Sequence, residues 1–310
     1  MAYAAVDGLP DLPTVLASHP PGPANFRRAG PHPDWRRKTL RTNALGEPVE
    51  AQRRRMLAQM EGRVQLALSV RAAFENLERH LLLPGRSAAD AYGPDPVPVV
   101  DAGDTEGCAT TPPLVQGHLL NLAGVRLGQR VLLAGGAPGI TASLLEHLVG
   151  PTGEVVALES SGMLAGRTRL MLAATGHDRV RVHHLDATGE LPFAKGEFDV
   201  VVSAGSVPGI PPEWWRVLRV GGRMVLPLRI GGHCRITSFV REEDRLVAGE
   251  WVAYDVAPLR WKELPGGGAD QLVPLADGRL LHLDCTDAAR TLLAAETVTD
   301  LPGARLVIGL

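Results

Sequence analysis

Residues 131–145 read VLLAGGAPGITASLL. An apolar run ends in closely spaced glycines and passes at once into a segment with helical character. This order predicts a strand, a tight loop and a helix. Glycine in such a loop lets a ligand approach the backbone and the helix N-terminus, because a Cβ would fill that space. Alone, the pattern is equally a tight turn between strand and helix.

The flanking sequence repeats the alternation. Helical TPPLVQGHLLNLAG precedes RVLLAGG, and helical ITASLLEHLVG precedes the strand EVVALES. Helical MLAGRTRLMLAATG precedes the strand VRVHHLD, after which FDVVVSAGS reads as a strand, EWWRVLRVGG as a helix and RMVLPLRI as a strand. Short apolar runs alternating with helices predict an α/β fold, a doubly wound and mostly parallel sheet covered on both faces.

Upstream, residues 1–35 are rich in Pro and Gly and read as an extended arm. The basic segment 35–55 carries Arg36, Arg37, Lys38, Arg41, Arg53, Arg54 and Arg55. It reads either as a docking surface for an acidic peptide or as a solvated helical face. Residues 49–81 show apolar positions near helical spacing and predict a helix, and 81–109 are punctuated by Pro and Gly and read mostly as loop. From about His233 the pattern becomes short alternating strands with acidic turns, which suggests antiparallel structure. A glycine-rich linker is expected at 265–268. The resulting division is an arm and basic segment (1–55), a catalytic domain (56–232) and a C-terminal appendage of α and β structure (233–310).

Composition narrows the function classes. The chain has 310 residues, 45% apolar, 21% charged and only 4% aromatic, with a formal net charge of −2. Neither charge nor aromatic content favours nucleic acid or an anionic membrane. No apolar run is long enough to span a bilayer, and the N-terminus lacks the pattern of a signal peptide, so a cytoplasmic location is expected. Cys108, Cys234 and Cys285 have no metal or disulfide spacing and are expected to be reduced thiols; no metal is expected. His183 and His184 sit in a strand, one facing the core and one outward.

Two further residues complete a cofactor pattern. Glu159 ends the strand after the glycines, where a carboxylate can accept hydrogen bonds from two ribose hydroxyls. Asp186 and Ala187 follow the third strand, placed to meet an adenine. The pattern suits an adenosine cofactor and does not separate S-adenosylmethionine from an adenine dinucleotide.

Longer motifs narrow the choice. TTPPLV (110–115), LLAGGAPG (132–139), ALE (157–159), HLDATGELPF (184–193) and FDVVVSAGSVPGIPPEWWRVLRVGGRMVLPL (198–228) stand in order. With VRAAFENLERHLLLPGRSAADAYGPDPVPV (70–99) upstream, the chain resembles the protein-L-isoaspartate O-methyltransferase family across 70–228. The tail resembles longer bacterial relatives associated with modified-peptide gene clusters.

The resemblance implies a class I, Rossmann-like methyltransferase fold and transfer of the S-adenosylmethionine methyl group to an Asp or isoAsp carboxylate. The acceptor would lie in a peptide or protein, such as a ribosomal natural-product precursor. It implies a cofactor site at Gly135, Gly136, Gly139, Glu159, Asp186 and Ala187. It also implies a hydroxyl that orients the acceptor at Thr110, with Thr111 the fallback if the register slips by one. Three departures from the family pattern stand out. Leu133 replaces an acidic residue, Ala137 replaces the middle glycine, and Thr replaces the usual Ser of the hydroxyl turn. They leave open a degenerate relative that binds peptide or a partner without catalysis.

Overall fold

The computed structural model describes residues 47–99, 108–230, 233–243 and 245–259, with three short strands beyond them. The basic residues at 36–41 and the linker at 265–268 lie outside the described residues. The strands are β1 (Arg130–Ala134), β2 (Glu154–Glu159), β3 (Arg181–His184), β4 (Phe198–Ser203), β5 (Leu218–Ile230), β6 (His233–Arg241) and β7 (Arg245–Ala253). β8 (Leu272–Pro274) and β9 (Leu280–His282) pair with each other, and β10 (Val307–Gly309) pairs with β7.

The main sheet runs β10-β7-β6-β5-β4-β1-β2-β3. Strands β1 to β5 are parallel, whereas β6 adds antiparallel to β5 and β7 antiparallel to β6. β1 explains why an unbroken apolar run is needed. Val131 and Leu133 belong to one core cluster, and Leu132 and Ala134 to the cluster on the opposite face. A strand covered on both sides by helices has no face for polar residues.

The helices are α1 (Val49–Glu61), α2 (Leu68–Asn76), the one-turn α3 (Ala88–Ala91), α4 (Pro113–Ala123), α5 (Ile140–Val149), α6 (Gly162–Thr175) and α7 (Pro212–Val217), with a 3₁₀ turn at Arg79–Leu82. α4 begins with Pro at its first position and ends at Gly124 in the left-handed conformation. α2 packs on α5, so the N-terminal helices and the cofactor-loop helix share one core.

Three local expectations are corrected. The helix expected across 49–81 breaks at 62–67: Gly62 caps α1, and the Asn121 side chain accepts from the Ala67 N–H at 3.0 Å and donates to the Gln65 carbonyl at 2.7 Å. The loop expected through 81–109 contains α3, closed by a Ser87–Asp90 capping box, and a bridge between Pro98 and Ala109. The helix expected over 213–222 stops at Val217. Arg241 of β6 donates to the carbonyls of Trp215 (2.7 Å) and Leu218, and Leu218, fully buried, pairs with Phe198 as the first residue of β5. Sheet pairing and an arginine on the last carbonyls end the helix there.

The chain leaves β1 toward β2 and β3 on one side, then returns to β4 on the other. The carboxyl ends of β1 and β4 therefore flank a topological switch point, where open α/β sheets place their ligands.

Candidate active site

A cavity opens at that switch point. It is lined by Gly135 and Ala137 after β1, by Glu159 at the end of β2, and by Ala187, Thr110 and Thr111. Thus five of the eight residues expected from sequence share one cavity. Gly136, Gly139 and Asp186 do not line it. Gly136 is buried against Leu133 and Ala157, and a Cβ on Gly139 would meet the Leu172 side chain of α6 at 3.0 Å. Gly139 also has φ 108°, a left-handed conformation that favours glycine. The Asp186 carboxylate accepts the N–H and hydroxyl of Thr188 at 2.9 and 2.8 Å and so shapes its own turn. Trp214 fixes the same turn from below, since its buried indole N–H donates to the Ala187 carbonyl at 2.6 Å.

Glu159 is 8% exposed. Burial pushes its carboxyl above the usual value, and the backbone N–H groups of Ser161, Ala137, Ser160 and Gly136 draw it part of the way back. The Ser161 N–H lies 3.4 Å from its Oε1. A carboxylate facing the backbone of the glycine loop, with an apolar wall at Leu158 and Leu164, fits the ribose of an adenosine cofactor. Leu133, where the family carries an acid, does not line the cavity and belongs to the core beneath it.

The opposite wall is built from two short arms. The Val99 N–H donates to the Cys108 carbonyl at 2.7 Å, and the Thr110 N–H to the Val97 carbonyl at 2.8 Å. Thr110 Oγ1 accepts the Val97 N–H at 2.9 Å, which leaves its hydroxyl proton for another acceptor. Thr111 Oγ1 donates to the Ala204 carbonyl at 3.3 Å. The Thr111 carbonyl in turn accepts from Arg79 Nη2 at 3.2 Å.

Sequence reading missed the third wall. Residues 255–259 leave β7 and run beside Ser206: the Leu259 N–H donates to the Ser206 carbonyl and the Ser206 N–H to the Ala257 carbonyl, both at 2.8 Å. Arg229 Nη2 holds this segment through the Val256 carbonyl at 2.8 Å. Leu259 then lies on the glycine loop. A Cβ on Gly135 would meet Leu259 Cδ1 at 2.3 Å, and one on Gly205 would meet the Leu259 backbone at 2.7 Å. The positive φ of Gly135 (74°) is what favours glycine there; the Leu259 side chain also lies close but can move, and Gly135 still lines the cavity. Ala204 and Gly205 follow a strand adjacent to β1, and that position was the available signal.

Elsewhere the remaining expectations are mundane. His183 meets the Phe193 ring edge-on at 5.9 Å, while exposed His184 contacts the Ser160 carbonyl at 3.2 Å. Among the described residues Cys108 and Cys234 form no disulfide, and Cys285 lies outside the described residues. Among the described residues no helix is long and apolar enough to cross a membrane.

Sheet order, glycine loop and strand-end carboxylate define a doubly wound α/β protein with a cavity suited to an adenosine cofactor, the class I methyltransferase architecture. The family model described as protein-L-isoaspartate(D-aspartate) O-methyltransferase (PCMT) matches residues 52–256, and the chain belongs to this family of S-adenosylmethionine-dependent enzymes. Protein-L-isoaspartate O-methyltransferase 1 of Archaeoglobus fulgidus is 30% identical over 213 residues, covering 68% of this chain and 94% of that protein. The enzyme of the same name from Nitrosospira multiformis is 27% identical over 222 residues, covering 70% and 89%. Two solved structures share the fold. A protein-L-isoaspartate O-methyltransferase has TM-score 0.61 at 21% identity, covering 70% of this chain and 66% of its own. A putative one from Plasmodium falciparum, in complex with S-adenosyl-L-homocysteine, has TM-score 0.57 at 11% identity, covering 71% and 99%.

Proposed function

We propose that this protein methylates the free carboxylate of an isoaspartyl or aspartyl residue in a peptide or protein. The observation that carries the reading is the shared cavity, with Glu159 on one wall and the Thr110–Thr111 pair on the other. The bound cofactor supplies an electrophilic methyl group on a sulfonium. Glu159 would accept the two ribose hydroxyls, the backbone of the 135–139 loop would approach the group closely, and the Asp186–Ala187 turn, through Ala187, would border the adenine.

An acceptor carboxylate is already ionised near neutral pH, so no general base is required. The protein's work is to bind it, remove its water and hold one oxygen in line with the methyl. Thr110 donates the orienting hydrogen bond, because Val97 already occupies its oxygen and leaves the proton free. Thr111 is the second donor; its 3.3 Å bond to Ala204 is long enough to be exchanged for a substrate oxygen. In the resulting ester, the next backbone nitrogen attacks the carbonyl carbon and loses its proton, and the methoxy group leaves as methanol. The product is a succinimide.

A finer reading is a dedicated cytoplasmic acceptor, such as a ribosomal natural-product precursor. It rests on the residues outside the family match, 1–51 and 257–310, with the basic segment and the C-terminal appendage from 233 providing peptide or partner contacts. Leu133 and Ala137 motivate the rival, a relative that binds peptide without catalysis. Calorimetric titration decides between the classes. The account expects saturable binding of S-adenosylhomocysteine and none of NAD; binding of neither, with peptide binding intact, favours the rival.

A further inference from the structure

Behind the Thr110–Thr111 wall lies a charge that the chemistry above does not use. Arg79 is 1% exposed, in the 3₁₀ turn before the loop that leads to Thr110. Its Nη1 donates to Gln116 Oε1 and its Nη2 to the Thr111 carbonyl at 3.2 Å, while its Nε has no partner. Gln116 passes the link on, donating from Nε2 to Thr141 Oγ1 at 2.8 Å, in the first turn of the helix after the glycine loop. Both groups that accept from the guanidinium are neutral. Among the described residues Arg79 forms no ion pair; the other buried arginine, Arg241, likewise meets neutral carbonyls, of Trp215 and Leu218, but it caps a helix end away from the cavity, whereas Arg79 backs the cavity wall.

We propose that Arg79 is a positioning residue for the acceptor, supplying the buried positive charge that draws a substrate carboxylate to the Thr110–Thr111 wall. The inference rests on the reading that the acceptor is a carboxylate. A buried ion without a counter-ion is strongly unfavourable, and a neutral amide would brace the Thr111 carbonyl at less cost. An anion arriving one residue away gains from such a charge, the more so as it sheds its own water. Burial pulls the Arg79 pKa down to about 10, so the group stays protonated at neutral pH.

The test uses the full chain saturated with S-adenosylhomocysteine and two fluorescent peptides of one sequence. One carries a single isoaspartyl carboxylate and the other its carboxamide. Wild type should prefer the carboxylate by about tenfold or more, an effect on the order expected for a nearby buried charge. Arg79→Met should lose that preference while keeping its affinity for the carboxamide, and Arg79→Lys should regain most of it. A preference retained in Arg79→Met overturns the proposal, as does equal weakening of both peptides without rescue by Lys, the signature of a mere strut. Should the Met variant fail to fold, Arg79→Lys carries the test through its pH profile. A buried lysine titrates below its usual value, so its carboxylate preference should fall as pH rises while that of wild type stays level; level profiles in both overturn the proposal. If wild type methylates the isoaspartyl peptide and Arg79→Met keeps the preference, only the role of Arg79 fails. If wild type binds both peptides alike and transfers no methyl group, the functional reading fails and this inference with it.

Discussion

At one end of the cavity Glu159 carries its charge among backbone N–H groups of the glycine loop; behind the wall at the other end, Arg79 carries its charge against a carbonyl and an amide. The first end is a rigid carboxylate at a strand terminus, already solvated by backbone and waiting for hydroxyls. The second is a hydroxyl wall backed by an uncompensated cation and waiting for an anion. The same physics of burial thus favours different ligands at the two ends, a diol at one and a carboxylate at the other. Changes at each end should therefore act on different ligands.

The largest effect is expected at the carboxylate end. Glu159→Ala removes two hydrogen bonds to a charged group, at about 1.5–3 kcal/mol each, and should weaken S-adenosylhomocysteine binding at least about a hundredfold. Most of the cofactor-induced rise in melting temperature should vanish with it, while affinity for the acceptor peptide measured without cofactor stays put. Equal thermal shifts in mutant and wild type would move the cofactor site elsewhere.

Next comes Thr110→Val, which keeps the shape and removes the donor. Loss of one hydrogen bond to a charged group predicts a rate of methyl transfer lower by roughly ten- to a hundredfold, with cofactor affinity nearly unchanged. Valine also leaves the Val97 N–H without its acceptor, so the melting temperature of the variant is measured alongside. If Thr110→Val transfers at the wild-type rate and Thr111→Val does not, the orienting hydroxyl is that of Thr111.

A smaller effect separates the ends by pH. Burial raises the pKa of Glu159, and it is the ionised form that accepts both ribose hydroxyls. S-adenosylhomocysteine affinity should therefore fall with decreasing pH, with its inflection above that of an unperturbed glutamate. Glu159→Gln should flatten the curve. An inflection at or below the ordinary value would mean that backbone N–H groups outweigh burial.

Much of this arrangement was legible in the sequence, for identifiable reasons. β1, β2 and β4 are covered on both faces, so each had to be a nearly continuous apolar run, and the glycines and Glu159 sit at their ends, where chain geometry places them. The hydroxyl turn at Thr110 was legible only through the resemblance of TTPPLV to the family motif, and the structure starts α4 just beyond it at Pro113. The rest depended on contacts that are distant in the chain. In EWWRVLRVGG nothing local reveals that Arg241 takes the helix's last carbonyls or that Phe198 claims Leu218. Leu259 lies far along the chain from Gly135 and Gly205, yet its backbone is what leaves no room for a Cβ at Gly205. Arg79 in LERHLLLP looks like any other arginine until α4 and the Thr111 carbonyl enclose it.

The smallest effect tests the chain outside the cavity. Removing residues 1–45 should leave S-adenosylhomocysteine affinity unchanged and lower peptide capture at low salt, where surface charge acts furthest. Unchanged peptide affinity at low salt would make the basic segment a solvated surface.

The measurement that reaches the central claim most directly is transfer of a labelled methyl group from S-adenosylmethionine to the isoaspartyl peptide and its carboxamide twin. The account predicts label on the free carboxylate alone, recovered as a base-labile ester that decays to succinimide and methanol. Label on the carboxamide, or no label on either peptide together with no binding of S-adenosylhomocysteine, would contradict it.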